Sequence, residues 1–303
     1  MSEANQRPMV VGIGELLWDC LPDGRQPGGA PANVAFHAGQ FGGHGVICSR
    51  VGRDDSGRGL LDELAARGLD LCLVATDPRH PTGRVTVDDT IPDAPTYLIH
   101  ENAAWDHLEF DARTEGVMKR AAAVCFGTLA QRSPQSRETV HRCLDATAGA
   151  LVVYDVNLRP PWYERPWIER SLDRCDIAKL NAEEAGVLAA MFELPAADLP
   201  AVGRALAARF NLTMTCITRA EAGCLLVTPE LTIDQPGVPV AVVDAVGAGD
   251  AFTAALISAS LGRWPLEAVA EFACGVGALV ATRRGAMPAL GDELAALHAR
   301  LTP

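Results

Sequence analysis

Short apolar stretches bounded by turn residues recur along the chain, and longer segments with apolar positions three and four apart lie between them. Residues 9–14, 45–51, 71–75, 151–156 and 177–180 read as strands, and 125–127 as the end of another. A continuous apolar run suits a strand covered on both faces, as a parallel sheet requires. Helices are expected from the pair Gly28-Gly29 to the stop at Gly42-Gly43, through 67 after Asp54-Asp55, after Asn181, over 251–261 and over 265–281. Ser133-Pro134 marks one more start, with Ser at the N-cap and Pro at the first helical position. Residues 214–218 and 223–228 form a strand pair around 219–222, and the run 238–243 reads as a strand leading into a glycine turn.

The helical rhythm breaks in two places. Residues 15–20 look extended before a turn at Asp23-Gly24, and 83–88 and 96–101 alternate as two antiparallel strands around a turn at 91–95. Together these predict a small inserted β-sheet lid, 15–27 and 83–103. The α/β core then comprises 1–14, 28–82 and 104–303: three α/β/α layers with a mostly parallel central sheet. Exposed lid edges suggest a homodimer through the lid.

Composition narrows the function. The 303 residues are 49% hydrophobic with a formal net charge of −12 and a pI near 5.0. That balance argues against nucleic acid or an anionic membrane as partner. No apolar run reaches the ~18 residues of a membrane span. Nine scattered cysteines without CxxC pairs, and no basic-then-apolar leader, read as free thiols in a reducing cytoplasm. The two lysines, Lys119 and Lys179, do not follow glycine, which closes the Walker-A route to a nucleotide. Gly12-Ile13-Gly14 imitates a dinucleotide fingerprint, but Leu17 stands at the third glycine and Pro22 blocks the helix that should follow.

The densest chemistry lies at Gly247-Ala248-Gly249-Asp250. Two glycines turning into a helix aim backbone N–H groups at one spot, where the helix dipole favours negative charge. Asp250 at the helix mouth is either an N-cap or a catalytic base. Asn33, in the first turn of its helix, either caps it or faces a ligand over the glycines; His37, four residues on, packs inside. Asp155 to Pro160 closes a strand with polar groups, where open parallel sheets place ligands. Arg159 there either reaches an anionic group or makes a surface ion pair. Asn181 and Glu184, three apart, either organise water around magnesium or form a capping box.

These residues resemble the ribokinase/PfkB carbohydrate kinase family. Residues 28–35 are similar to its first signature and 244–256 to its second, with 155–159 and 179–184 between them in order; the likeness runs from about Val10 to about Met287. The opening Gly14 to Asp19 and the closing Thr282 to Ala286 look most like the fructokinase branch. The resemblance implies a ribokinase-like fold, with Asp250 as base and Gly247, Ala248, Gly249 and Asp250 as anion hole. Asp19, Gly28, Gly29 and Asn33 would hold the sugar, with Arg159 near the transferred phosphate. Asn181 and Glu184 would act on Mg–ATP through water, Glu184 as the magnesium contact. Thr218 and Gly223 would border the nucleotide, and the helix around Gly275 and Gly277, Cys274 included, would flank the adenine. A potassium-like ion would sit near Asp244, Val246 and Arg284. Trp105 and Tyr97 either wall the sugar pocket or pack the lid onto the core. Ala245 departs from the family's usual Thr, and Ala220 from its glycine. Fructose is the first choice of acceptor, ahead of other ketoses, ketose acids, ribose and nucleosides; a non-catalytic sugar sensor is the remaining alternative.

Overall fold

The computed structural model describes residues 7–21, 24–88 and 96–301. Asp23, the turn at 91–95 and the side chain of Tyr97 fall outside them. The first half of the chain runs β1 (Met9–Ile13), β2 (Leu17–Leu21), β3 (Gly24–Gly28), α1 (Ala30–Gln40), β4 (His44–Gly52), α2 (Asp55–Ala66), β5 (Asp70–Asp77), β6 (Gly83–Asp88) and β7 (Thr96–Ile99). It continues through α3 (Ala112–Met118), β8 (Ala123–Gly127), α4 (Pro134–Asp145), β9 (Leu151–Asp155), α5 (Arg165–Leu172) and β10 (Ile177–Asn181). The last part comprises α6 (Ala182–Phe192), α7 (Leu199–Phe210), β11 (Met214–Thr218), β12 (Cys224–Val227), β13 (Thr232–Gln235), α8 (Ala248–Leu261), α9 (Leu266–Ala281) and α10 (Gly291–Leu301).

Nine strands form one sheet in the order β13-β12-β11-β10-β9-β8-β1-β4-β5, and four form a second, β3-β2-β6-β7. The large sheet is parallel from β11 to β5, with β12 and β13 antiparallel at one edge. Its strands are apolar on both faces because helices cover both. On one face Val140, Ile168, Leu188 and Leu206 pack from α4 to α7; on the other α1, α8 and α9 bring Val34, Leu256 and Phe272. The small sheet seats Leu16 and Trp18 on α1 and α2. It is mixed, since β2 pairs β6 in parallel while its other pairs are antiparallel.

The chain leaves β1 outward through β4 to β5, then returns to β8 on β1's other side. The reversal opens a crevice at the carboxyl ends of β1 and β8, the place where such sheets bind ligands. The β1–β2 connection, with Glu15, emerges there.

Two expectations fail. Residues 238–243 form no strand, and Val240, Val242 and Val243 are exposed. β13 already occupies that edge, and Pro236 and Pro239 cannot donate to a ladder. Ser133 is the N-cap of α4, yet its side chain makes no capping bond; Asp54 does cap α2, accepting the Gly57 amide at 2.6 Å. No described helix is long and apolar enough to cross a membrane.

Candidate active site

The glycine turn leads directly into α8. Gly247, at φ 77, is the N-cap of α8, and a side chain there would lie 2.5 Å from Ala286 Cα. Glycine is required twice over, by conformation and by space. The first intrahelical bond runs from the Ala251 amide to Gly247 O at 2.9 Å. The amides before it therefore point out of the helix. Ala248 turns its amide onto Ala245 O at 3.2 Å and is thereby engaged within the chain.

Asp250 sits half-buried at this helix mouth. Asn33, 4% exposed in the first turn of α1, donates its amide N–H to Asp250 Oδ2 at 2.6 Å. Burial pushes Asp250 up to about 6, helped by the charge of Asp155; the Asn33 bond, Lys179 and Arg159 pull the other way. A carboxyl near neutrality that still ionises is suited to accept a proton. His37, on the same helix, faces inward, its Nε2 2.9 Å from Ala286 O. Burial holds its imidazole down at about 4.

Beneath Asp250 lies a buried cluster that sequence reasoning gave no role. Lys179 of β10 and Asp155 of β9 are register partners, and Lys179 Nζ lies 3.1 Å from both Asp155 oxygens. Thr253 donates to Asp155 Oδ2 at 2.8 Å. Burial pulls Lys179 down, but Asp155, Glu184 and Asp250 outweigh it and keep the ammonium charged. The available signal was a lysine inside an apolar strand, since a buried charge demands a partner. Glu15 was also missed: it is a carboxyl 4% exposed, pushed up to about 7 by burial, with the amides of Glu15 and Ala30 opposing and the charge of Asp250 adding to the rise.

On the small sheet, Asp19 stands opposite Gln26 across β2 and β3, and its carboxylate fills the space a side chain at Gly28 would need. Gly29, at φ 120, packs its α-carbon against the Glu15 carbonyl. Burial pushes Asp19 up to about 6 against the charge of Arg159. Arg159 is exposed, with Nη1 on its neighbour's carbonyl at 3.0 Å, and its charge acts on Glu15, Asp19 and Asp250 alike. These three carboxyls thus share one electrostatic neighbourhood with Arg159.

Other expected residues separate from it. Trp105 is fully buried beneath the Arg132 guanidinium, 4.0 Å from its ring centre, and packs with Ala103, Leu129 and Ala130. Cys274 turns its sulfur into the core, 3.5 Å from that of Cys224, and offers no face to an adenine. Gly275 faces Leu297 of α10, whereas Gly277 packs beside Ala248 O at the mouth of α8. Thr218 Oγ1 donates to Leu180 O at 3.4 Å, and Gly223, at φ 90, lies against Gln235 and Gly237. Ala220 adopts φ 50, the left-handed region that favours glycine.

Asn181 and Glu184 form a full capping box on α6. Glu184 accepts the amides of Asn181 and Leu158, both at 2.8 Å. Each of its oxygens thus accepts one amide and keeps a second lone pair, available to a water of a hydrated magnesium ion. Asp244 is similarly engaged, accepting Val246 N–H at 3.0 Å and Gly285 N–H at 2.9 Å, and so ties the turn to the segment holding exposed Arg284.

The family model for the pfkB family carbohydrate kinases matches residues 22–292. The chain belongs to this family. An uncharacterized sugar kinase from Pyrococcus horikoshii is 32% identical, covering 92% of this chain and 91% of its own. Its structure in complex with ATP superposes at a TM-score of 0.81, covering 97% and 100%. A fructokinase from Klebsiella pneumoniae is 30% identical over 92% of this chain and 94% of its own. A Vibrio cholerae fructokinase structure with fructose, ADP and calcium has 25% identity and a TM-score of 0.78, covering 98% and 100%. The protein is a sugar kinase with a ribokinase-like fold.

Proposed function

We propose that this kinase transfers the γ-phosphoryl group of ATP to a hydroxyl of a small sugar, with D-fructose as the acceptor. The observation that carries the reading is Asp250: a carboxyl held by Asn33 at 2.6 Å, at the mouth of a helix whose first amides point outward. The fructokinases among its relatives support the choice of sugar.

The acceptor hydroxyl lies between Asp19, Asn33 and Asp250. Its oxygen bonds to the γ-phosphorus as the bond to the ADP oxygen breaks, and its proton passes to Asp250. Charge spreads over the equatorial phosphoryl oxygens in such a transfer, so fixed N–H donors at Gly247, Gly249 and Asp250 lower the barrier. Arg159 adds a cation near the same charge. Thr218, Gly223 and Gly277 border the nucleotide. Asn181 and Glu184 would hold a hydrated magnesium ion, which when bound would neutralise charge on the nucleotide phosphates. A potassium-like ion beside Asp244, Val246 and Arg284 would order the turn, and no step passes through it. The small sheet acts as the lid that excludes water. Leu98, 57% exposed on β7, supports dimerisation through its edge.

A coupled assay of ADP release, run with fructose, other ketoses, ribose and nucleosides, tests the assignment. Fructose should give the highest kcat/KM; a higher value for another acceptor replaces it, and no sugar-dependent ADP removes the transfer reading.

A further inference from the structure

Glu15 stands at the crevice where the sheet reverses. It is 4% exposed, and its Oε2 has no hydrogen-bond partner. A buried acceptor left unpaired is costly, so a native one implies a partner the protein does not supply. Asn33 Oδ1, on the amide that holds Asp250, is a second unpaired buried acceptor. Both lack a donor, and hydroxyls are the donors a sugar brings.

The surrounding charge sharpens the class of sugar. Glu15, Asp19 and Asp250 all feel the single guanidinium of Arg159. The nearby Lys179 is already paired to Asp155. An acceptor bearing its own carboxylate would add a fourth negative group around Arg159, the cation these three carboxyls already share.

We propose that Glu15 is a substrate-binding residue, that its unpaired oxygen takes a hydroxyl hydrogen of the acceptor, and that the carboxyl cluster it completes selects neutral sugars over sugar acids. The proposal rests on the phosphotransfer reading above and adds to it the charge class of the acceptor. Burial raises all three carboxyls, to about 7 for Glu15 and about 6 for Asp19 and Asp250, and at Glu15 the charge of Asp250 adds to the rise.

The test compares wild type with Glu15→Gln, which keeps shape and removes charge. Each is assayed with the best neutral sugar of the panel and with 2-ketogluconate, a ketose acid. Loss of a bond to a charged group corresponds to roughly 10–100-fold in affinity. KM for the neutral sugar should therefore rise about 10-fold or more, with kcat changing less, and the preference over 2-ketogluconate should narrow by a similar factor. Should Glu15→Gln fail to fold, Glu15→Asp keeps the charge and withdraws the oxygen; KM should then rise while the preference persists. A folded variant with unchanged KM and unchanged preference overturns the role of Glu15. A wild type that prefers 2-ketogluconate overturns the charge class. If wild type releases no sugar-dependent ADP, the transfer reading fails and calorimetric titration of the same sugar decides Glu15 separately. Weaker binding to the variant then upholds it, and equal or absent binding overturns it.

Discussion

Asn33 and Asp250 lie 217 positions apart and meet at 2.6 Å, amide to carboxylate, across α1 and α8. One residue opens each helix, so the contact fixes the glycine pair 28–29 against the glycine turn at 247–250. The bond also favours the ionised form of Asp250, which without it would climb further above about 6.

Asn33→Ala should consequently move the acid limb of the kcat/KM profile to higher pH. The loss at pH 8 should be roughly 10–100-fold, as for one charged hydrogen bond. A pH–rate series on both proteins measures it.

Asp250→Asn should stabilise the protein without ligand. A carboxyl with a raised folded-state pKa contributes stability below its ordinary value of 3.8, and that contribution is lost as pH rises through about 6. Removing the charge should thus gain about 1–2 kcal/mol at pH 7.5, allowing for solvent screening of a half-buried group, and almost nothing at pH 4. Thermal melts at the two values check the sign.

Lys179→Met should act in the opposite direction. It strands the buried Asp155 carboxylate, a change that costs roughly 3–5 kcal/mol. The midpoint of guanidinium unfolding should fall accordingly.

Ala220→Gly should relieve the positive φ of 50 in the turn after β11. The left-handed cost for alanine exceeds the entropy cost of glycine, so a gain of up to about 1 kcal/mol is expected in the same unfolding series.

The sheet was legible because its strands are apolar on both faces and bounded by turns, and the turn at 247–250 because only glycine permits its geometry. Residues 238–243 misled for a physical reason: apolar character predicts a strand only where an edge is open to receive it. Asn181 and Glu184 carry a spacing that suits a cap and a metal contact equally, and the hydrogen bonds show the cap. Of the two alternatives for Trp105 the structure shows the packed one, and Cys274, set beside the adenine by the resemblance, turns inward because packing decides where a side chain points. Glu15, Asp19 and Asp250 become one cluster only after folding, which no local pattern encodes.

The central claim is that Asp250 receives the hydroxyl proton during transfer. Its most direct measurement is turnover of Asp250→Asn with the preferred sugar, beside calorimetric ATP binding to the same variant. The account predicts kcat lower by roughly 10²–10⁴-fold with ATP affinity unchanged. Near wild-type turnover in a variant that binds ATP normally would contradict it.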